Sequence, residues 1–201
     1  QPTPRPERLQ VGVRVRPLLA HERAKKLRSC IDVTDGSKVF ASDPDDKMGG
    51  HDYLRLDKNR DRAYQFDHAF GPDASSTQVY AAMVERIVDA VVAGFHGSCF
   101  AYGATGSGKT FSMIGSAESP GVMPLAMSDL LAKTRADDEC EWRISLSYVE
   151  IYNERVKDLL NPRSTADLEV REDARQGTHI AGAVESPVAT KSEILELVSR
   201  G

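Results

Sequence analysis

Apolar and polar positions alternate near the start of the chain: Leu9, Val11, Val13 and Val15 are separated by Gln10, Gly12 and Arg14, with Arg16 next. This period of two predicts a strand with one apolar face, and Pro17, which has no N–H to give a ladder, ends it. The strand therefore carries Arg14 and Arg16 to its end. Ahead of it, residues 1–8 hold three prolines and no periodicity, and read as a disordered lead-in, with order beginning at Leu9. Residues 42–62 are polar, charged and glycine-containing, which predicts a long, exposed and mobile excursion before a strand-like stretch at residues 63–66.

Helical spacing begins further on. Ser76 or Thr77 can cap a helix running to about Gly94, with Tyr80, Met83, Ile87, Val88 and Val91 along one stripe. Cys99, Phe100, Ala101 and Tyr102 form a short apolar run of strand character that enters a glycine-rich stretch. Pro124, Leu125, Leu130 and Leu131 predict a second helix to about Ala136, and residues 142–152 alternate as a strand. Asn153 then reads as the cap of a short helix over residues 154–160, before Pro162. Two short β segments, at residues 168–171 and 179–184, flank a loop at 172–178. Thr190 and Glu193 have capping-box spacing and open a helix carrying Ile194, Leu195, Leu197 and Val198. No internal repeat is visible.

The chemistry concentrates in the glycine-rich stretch. Gly103, Ala104, Thr105, Gly106, Ser107, Gly108, Lys109 and Thr110 spell G-x-x-x-x-G-K-T, the pattern of a nucleoside triphosphate cradle. Glycines let successive N–H groups turn toward one anion, and a helix starting at Thr110 adds its positive end. Lys109 reaches the outer phosphates, and the Thr110 hydroxyl suits the Mg²⁺ that accompanies the nucleotide, a hard cation that takes oxygen donors. Such a string arises by accident in roughly 1 in 100 chains of this size. Its place between an apolar run and a helical one lowers those odds and disfavours a flexible Gly/Ser linker.

Composition narrows the setting. The 201 residues carry 26 basic and 30 acidic side chains, an acidic balance that offers no footprint for non-specific nucleic-acid binding. No apolar run is long enough for a membrane span, and the first ten residues lack the features of a leader, so a cytoplasmic chain is expected. Cys30, Cys99 and Cys140 are few and far apart, and the five histidines show no metal-ligand spacing.

Four stretches together resemble the kinesin motor domain: Val13-Arg14-Val15-Arg16-Pro17; Tyr64-Gln65-Phe66-Asp67 with Phe70; FAYGATGSGKT at residues 100–110; and SYVEIYNERVKDLL at 147–160. The likeness covers nearly everything from Leu9 onward. The charged excursion before Tyr64, NERVKDLLNP at 153–162 and LEVRED at 168–173 look most like kinesin-8. The resemblance implies an α/β fold of P-loop NTPase type, a central mixed sheet with helices on both faces. It also implies ATP or ADP with Mg²⁺ as cofactors, microtubules as partner, and the microtubule cytoskeleton as location.

By position, the resemblance places Arg14, Arg16 and Pro17 on the adenine side and Phe111 against the base, where stacking is worth about 1–3 kcal/mol in other base-binding proteins. The same residues also fit a solvated edge-strand face and a core phenylalanine. Lys109 and Thr110 become the catalytic pair. The loop at 172–178 lies near the microtubule face, so Arg171 and Arg175 are candidate tubulin contacts, although Glu172 and Asp173 make a solvated mixed-charge loop an equal alternative. Glu150, on the alternation of Ile144, Leu146 and Tyr148, reads as a partly buried structural carboxylate.

Two family segments are missing from the sequence: the N-x-x-S-S-R-S-H type switch and the D-x-x-G switch. Residues 9–201 thus read as the amino-terminal portion of a motor domain, ahead of its switch regions. The complete protein is expected to be a microtubule-stimulated ATPase, and this portion alone to be inactive and poorly folding, because the strands beside the phosphate-loop strand come from elsewhere in the motor. The competing reading is an immotile, nucleotide-holding microtubule binder. A different P-loop enzyme would leave the Arg14 and Ser147 blocks unexplained.

Overall fold

The computed structural model describes residues 9–42, 62–164, 166–174 and 177–200. The expected lead-in at 1–8, nearly all of the expected excursion at 42–62, and Arg175 lie outside the described residues. The chain divides after Ala126 into two compact units.

In the first unit, β1 (Gly12–Arg14) pairs in parallel with β5 (His68–Phe70), with Arg14 opposite Phe70. The predicted first strand is thus present but short. Its ladder is extended by bonds from the Asp67 N–H to Val11 O and from the Val15 N–H to Phe70 O, while Leu9 and Val11 stay exposed. After Pro17 comes a one-turn α1 (Ala20–Ala24). Next, β2 (Ile31–Thr34), β3 (Lys38–Ala41) and β4 (Arg62–Gln65) form an antiparallel sheet. The β2–β3 turn uses Asp35 and Gly36, both at positive φ.

Ser75, one position before the expected cap, opens the long helical stretch: its Oγ accepts from the Gln78 N–H, and Gln78 Oε1 accepts from the Ser75 N–H. The capping box is complete. The stretch runs through α2 (Ser76–Val79), a π-helical turn (Tyr80–Val84) and α3 (Glu85–Val92), and Gly94 follows at φ 91°. Tyr80, Val84 and Val88 are its buried stripe. The short α4 (Lys109–Met113) follows the glycine-rich stretch, and α5 (Val122–Ala136) begins near the expected position.

In the second unit, residues 142–152 do not form one continuous strand. β6 (Ser145–Leu146) pairs with β11 (Ser186–Pro187), whereas β7 (Val149–Tyr152) pairs with β8 (Arg155–Asp158). The break at 147–148 shifts the alternation, so Val149 is half-buried and Glu150 exposed, correcting the expectation for Glu150. The helix expected over residues 154–160 is a hairpin instead. Asn153 and Glu154 take φ of 48° and 62°, the positive values a two-residue turn between right-twisted strands requires, and Val156 and Asp158 alternate inward. Asn serves both as a helix cap and as a left-handed turn residue, and here the strand period decides between them. Buried Asp158 accepts from the N–H groups of Leu160 and Val184, both at 2.8 Å.

β9 (Glu169–Asp173) and β10 (Gly177–Ala181) form a further hairpin, so the segment expected as a loop over 172–178 is largely strand. The closing α6 (Lys191–Arg200) has its predicted box: Thr190 Oγ1 accepts from the Glu193 N–H, and Glu193 Oε2 from the N–H groups of Thr190 and Ala189. Ile194 on this helix packs with Leu131 and Val188, flanked by Met127, Ile144, Leu146 and Leu197. Full burial of one such side chain stabilises by about 1.5–3 kcal/mol.

The secondary structure is mixed α/β, but the expected single central sheet is not what the described residues form. They form five separate sheets, four of two strands and one of three. The reason lies at residues 95–102. Residues 99–102 were expected to be the strand entering the glycine loop, yet neither they nor residues 95–98 form a ladder, and Phe95, Phe100 and Tyr102 are 65%, 79% and 97% exposed. Most of the strands that do pair join near neighbours in sequence, where closing the chain costs least.

Candidate nucleotide site

The site lies wholly in the first unit. Residues 103–110 turn from the extended run into α4, and Gly106 and Gly108 take φ of 79° and 96°, the left-handed region that side chains with a Cβ disfavour. The Ser107 N–H donates to Ala104 O at 3.1 Å, closing the loop on itself. Lys109 is the first residue of α4, one position earlier than the expected helix start. Its ammonium folds back over the loop, donating to Gly103 O at 2.8 Å and Ala104 O at 3.0 Å. A cation is thereby held over the turn. Thr110, next along the helix, is exposed.

β1 brings its arginines to this loop. Arg14 donates to Ala74 O at 2.9 Å, Ser112 Oγ at 3.1 Å and Ser76 Oγ at 3.2 Å, and its guanidinium carbon lies 5.2 Å from the centre of the Phe111 ring. Burial pushes its pKa below the ordinary arginine value. Arg14 and Phe111 thus meet, with the guanidinium over the ring in cation–π geometry and Phe111 still half exposed. Arg16 lies beside the cradle, since a Cβ placed on Gly108 would come within 3.9 Å of Arg16 Cβ. Its guanidinium donates to both carboxylate oxygens of Glu22, at 2.6 and 2.7 Å, and to Pro17 O at 3.0 Å. The hydrogen bonds and charge of Glu22 raise the Arg16 pKa. Pro17 is exposed at the turn that follows.

Arg14, Arg16, Gly108, Lys109 and Phe111 therefore gather around one loop. Sequence reading did not assign to the site the residues that hold the arginines: Glu22, Ala74 and Ser112, and Ser76, which it named only as a helix cap. Arg14 ties β1 to the start of α2 and to α4. Arg14→Met in the complete protein is expected to strand acceptors at buried Ser76 and half-buried Ser112, costing about 2–3 kcal/mol. A lowered thermal midpoint reads this out, and an unchanged midpoint would mean that these bonds carry little.

Of the candidate tubulin contacts, Arg171 is exposed on β9 and pairs with Glu169 at 2.9 Å. Among the described residues, no helix is long and apolar enough to cross a membrane, and no three His, Cys, Asp or Glu side chains group to hold a metal ion. Thr110, exposed and next to the lysine that spans the loop, offers a hydroxyl oxygen of the kind a hard cation takes.

A mixed α/β chain with a glycine turn, a lysine folded over it and arginines at its rim has the marks of a nucleotide-binding protein. The sequence matches the kinesin motor domain over residues 14–201, and the chain belongs to that family. It is 39% identical to kinesin-like protein KIN-8B of Arabidopsis thaliana over 198 residues, 96% of this chain and 23% of that protein. It is 40% identical to KIN-8A of the same plant, covering 96% of this chain and 26% of the relative. Human kinesin-like protein KIF19 is 35% identical, covering 97% and 19%. The likeness to kinesin-8 read from the sequence stands with these matches. The chain spans about a fifth to a quarter of the length of these relatives.

Proposed function

We propose that this chain is the ATP-binding part of a microtubule-dependent motor ATPase, acting in the cytoplasm on the microtubule cytoskeleton. The observation that carries the reading is the loop at residues 103–110, with Lys109 folded across it and Arg14, Arg16 and Phe111 at its edge. When bound, Mg·ATP supplies the γ-phosphoryl group whose hydrolysis drives the cycle. The chain's own residues bind and orient it. Backbone N–H groups and Lys109 hold the phosphates, the Thr110 hydroxyl is a metal ligand, and Arg16, Pro17 and Phe111 frame the adenine.

Switch groups that position the attacking water are not among these residues, so hydrolysis rests on further segments of the complete protein. For the microtubule contact, Arg171 is the candidate on the described surface. Its exposed pair with Glu169 is worth little in water, so the guanidinium is free to exchange that partner for an acidic tubulin surface. Arg175 is the second candidate for that contact.

Steady-state ATPase assays on the complete protein test this. Microtubules are expected to raise turnover several-fold, and ATP is expected to weaken co-sedimentation. Tight binding that ignores nucleotide, with no stimulated turnover, would favour an immotile binder instead.

A further inference from the structure

The carboxylate of Glu22 stands outside the phosphate loop yet is fully engaged with its rim. It spans the turn from β1 into α1, taking two N–H bonds from Arg16 and a third, at 2.7 Å, from the Leu19 N–H. Between Arg16 and Glu22 lies the segment 17–21, which includes Pro17. The pair is bidentate, a geometry that fixes direction as well as distance. Its side chains are only 33% and 16% exposed, less open than a typical surface ion pair. Arg16 also spends a bond on Pro17 O. The side-chain bonds across this turn run through one arginine and one glutamate, and a Cβ on Gly108 of the cradle would lie 3.9 Å from that arginine's Cβ.

We infer that Glu22 is a positioning residue for the base side of the nucleotide site: by clamping Arg16 it sets the Arg16–Pro17 rim against the phosphate loop. The inference rests on the nucleotide reading above and deepens it. The bonds from Arg16 and Leu19 hold the Glu22 carboxyl down at about 2, so the clamp is charged throughout the neutral range. The Glu22 carboxylate is taken up by Arg16 and Leu19. Its effect passes through Arg16.

A ligand with a base and one without separate this from a general structural role. In the complete protein, Mg·ADP would feel the rim, whereas inorganic tripolyphosphate with Mg²⁺ would feel only the cradle. Glu22→Gln keeps the shape and removes the charge. It is expected to weaken Mg·ADP by about 10-fold while leaving tripolyphosphate within about twofold. Arg16→Ala should do the same, and the double variant should lose no more than either single one, because both act through one clamp. An unchanged ADP affinity, equal losses for both ligands, or additive losses in the double variant would each overturn the inference. Wild-type protein that binds neither ligand would overturn the nucleotide reading itself, and wild type that binds both equally would overturn only its base-side part and this inference with it.

Discussion

Lys109→Ala in the complete protein is expected to abolish measurable ATP turnover and to weaken nucleotide binding together, with kcat/KM falling on the order of 10²–10³-fold or more. Lys109 already lies over the loop, on the carbonyls of Gly103 and Ala104, so its charge is delivered to the place where the phosphates' oxygens would gather. Those oxygens are charged in the ground state as well as in the transition state, which is why both steps suffer. A Lys109→Arg variant keeps the charge but replaces a compact ammonium with a planar fork, and it should recover little. Steady-state kinetics with a parallel nucleotide-binding titration checks the pair of effects. Normal turnover in the alanine variant would remove the phosphate loop from the proposed function.

Much of the site was legible because its residues are adjacent in sequence. The string from Gly103 to Thr110 names its own chemistry, and the positive φ at Gly106 and Gly108 is the conformation that such glycines predict. Caps read well for the same reason: Thr190 and Glu193 lie three residues apart, and so do Ser75 and Gln78, although the cap was placed one residue late. The Asp35-Gly36 turn between two alternating runs was also legible by this rule and went unread.

What could not be read depends on contacts across the chain. Arg14 finds Ala74, Ser76 and Ser112 from 60 to 98 positions away, and nothing in its own neighbourhood distinguishes it from a solvated strand arginine. Glu22 is close in sequence to Arg16, but its register follows a turn around Pro17 rather than a helix or strand period, so spacing rules pass over it. The sheet is the largest disagreement. Resemblance brings a complete architecture with it, whereas the described strands pair only with what this chain supplies, leaving residues 95–102 without a ladder. Glu150 failed for a related reason: one alternation was assumed through residues 142–152, and the change of pairing partner between β6 and β7 put it on the other face.

The unpaired run leads to the second large expectation: the isolated 201-residue chain should self-associate, bind an apolar dye strongly and unfold without a sharp transition. Phe95, Phe100 and Tyr102 lie largely in solvent, and Ile151, Tyr152 and Val170 are exposed on the hairpins. Each large apolar side chain left in water forgoes about 1.5–3 kcal/mol of stabilisation, against a net stability of only about 5–15 kcal/mol for an ordinary domain. Three or four such residues are therefore enough to decide whether a cooperative fold exists. The backbone of residues 96–102 makes the matter worse, because an extended run outside any ladder and beside aromatic side chains is a template for another copy of the same strand. Light scattering and calorimetry on the isolated chain, with the complete motor domain alongside, decide it. A monomeric chain with reversible, cooperative unfolding would show that the small sheets and the Ile194 core suffice by themselves. Aggregation of the isolated chain beside a well-behaved complete motor would instead locate the missing stabilisation in partners for residues 95–102, the same run that must be held rigid for the phosphate loop at its end to work.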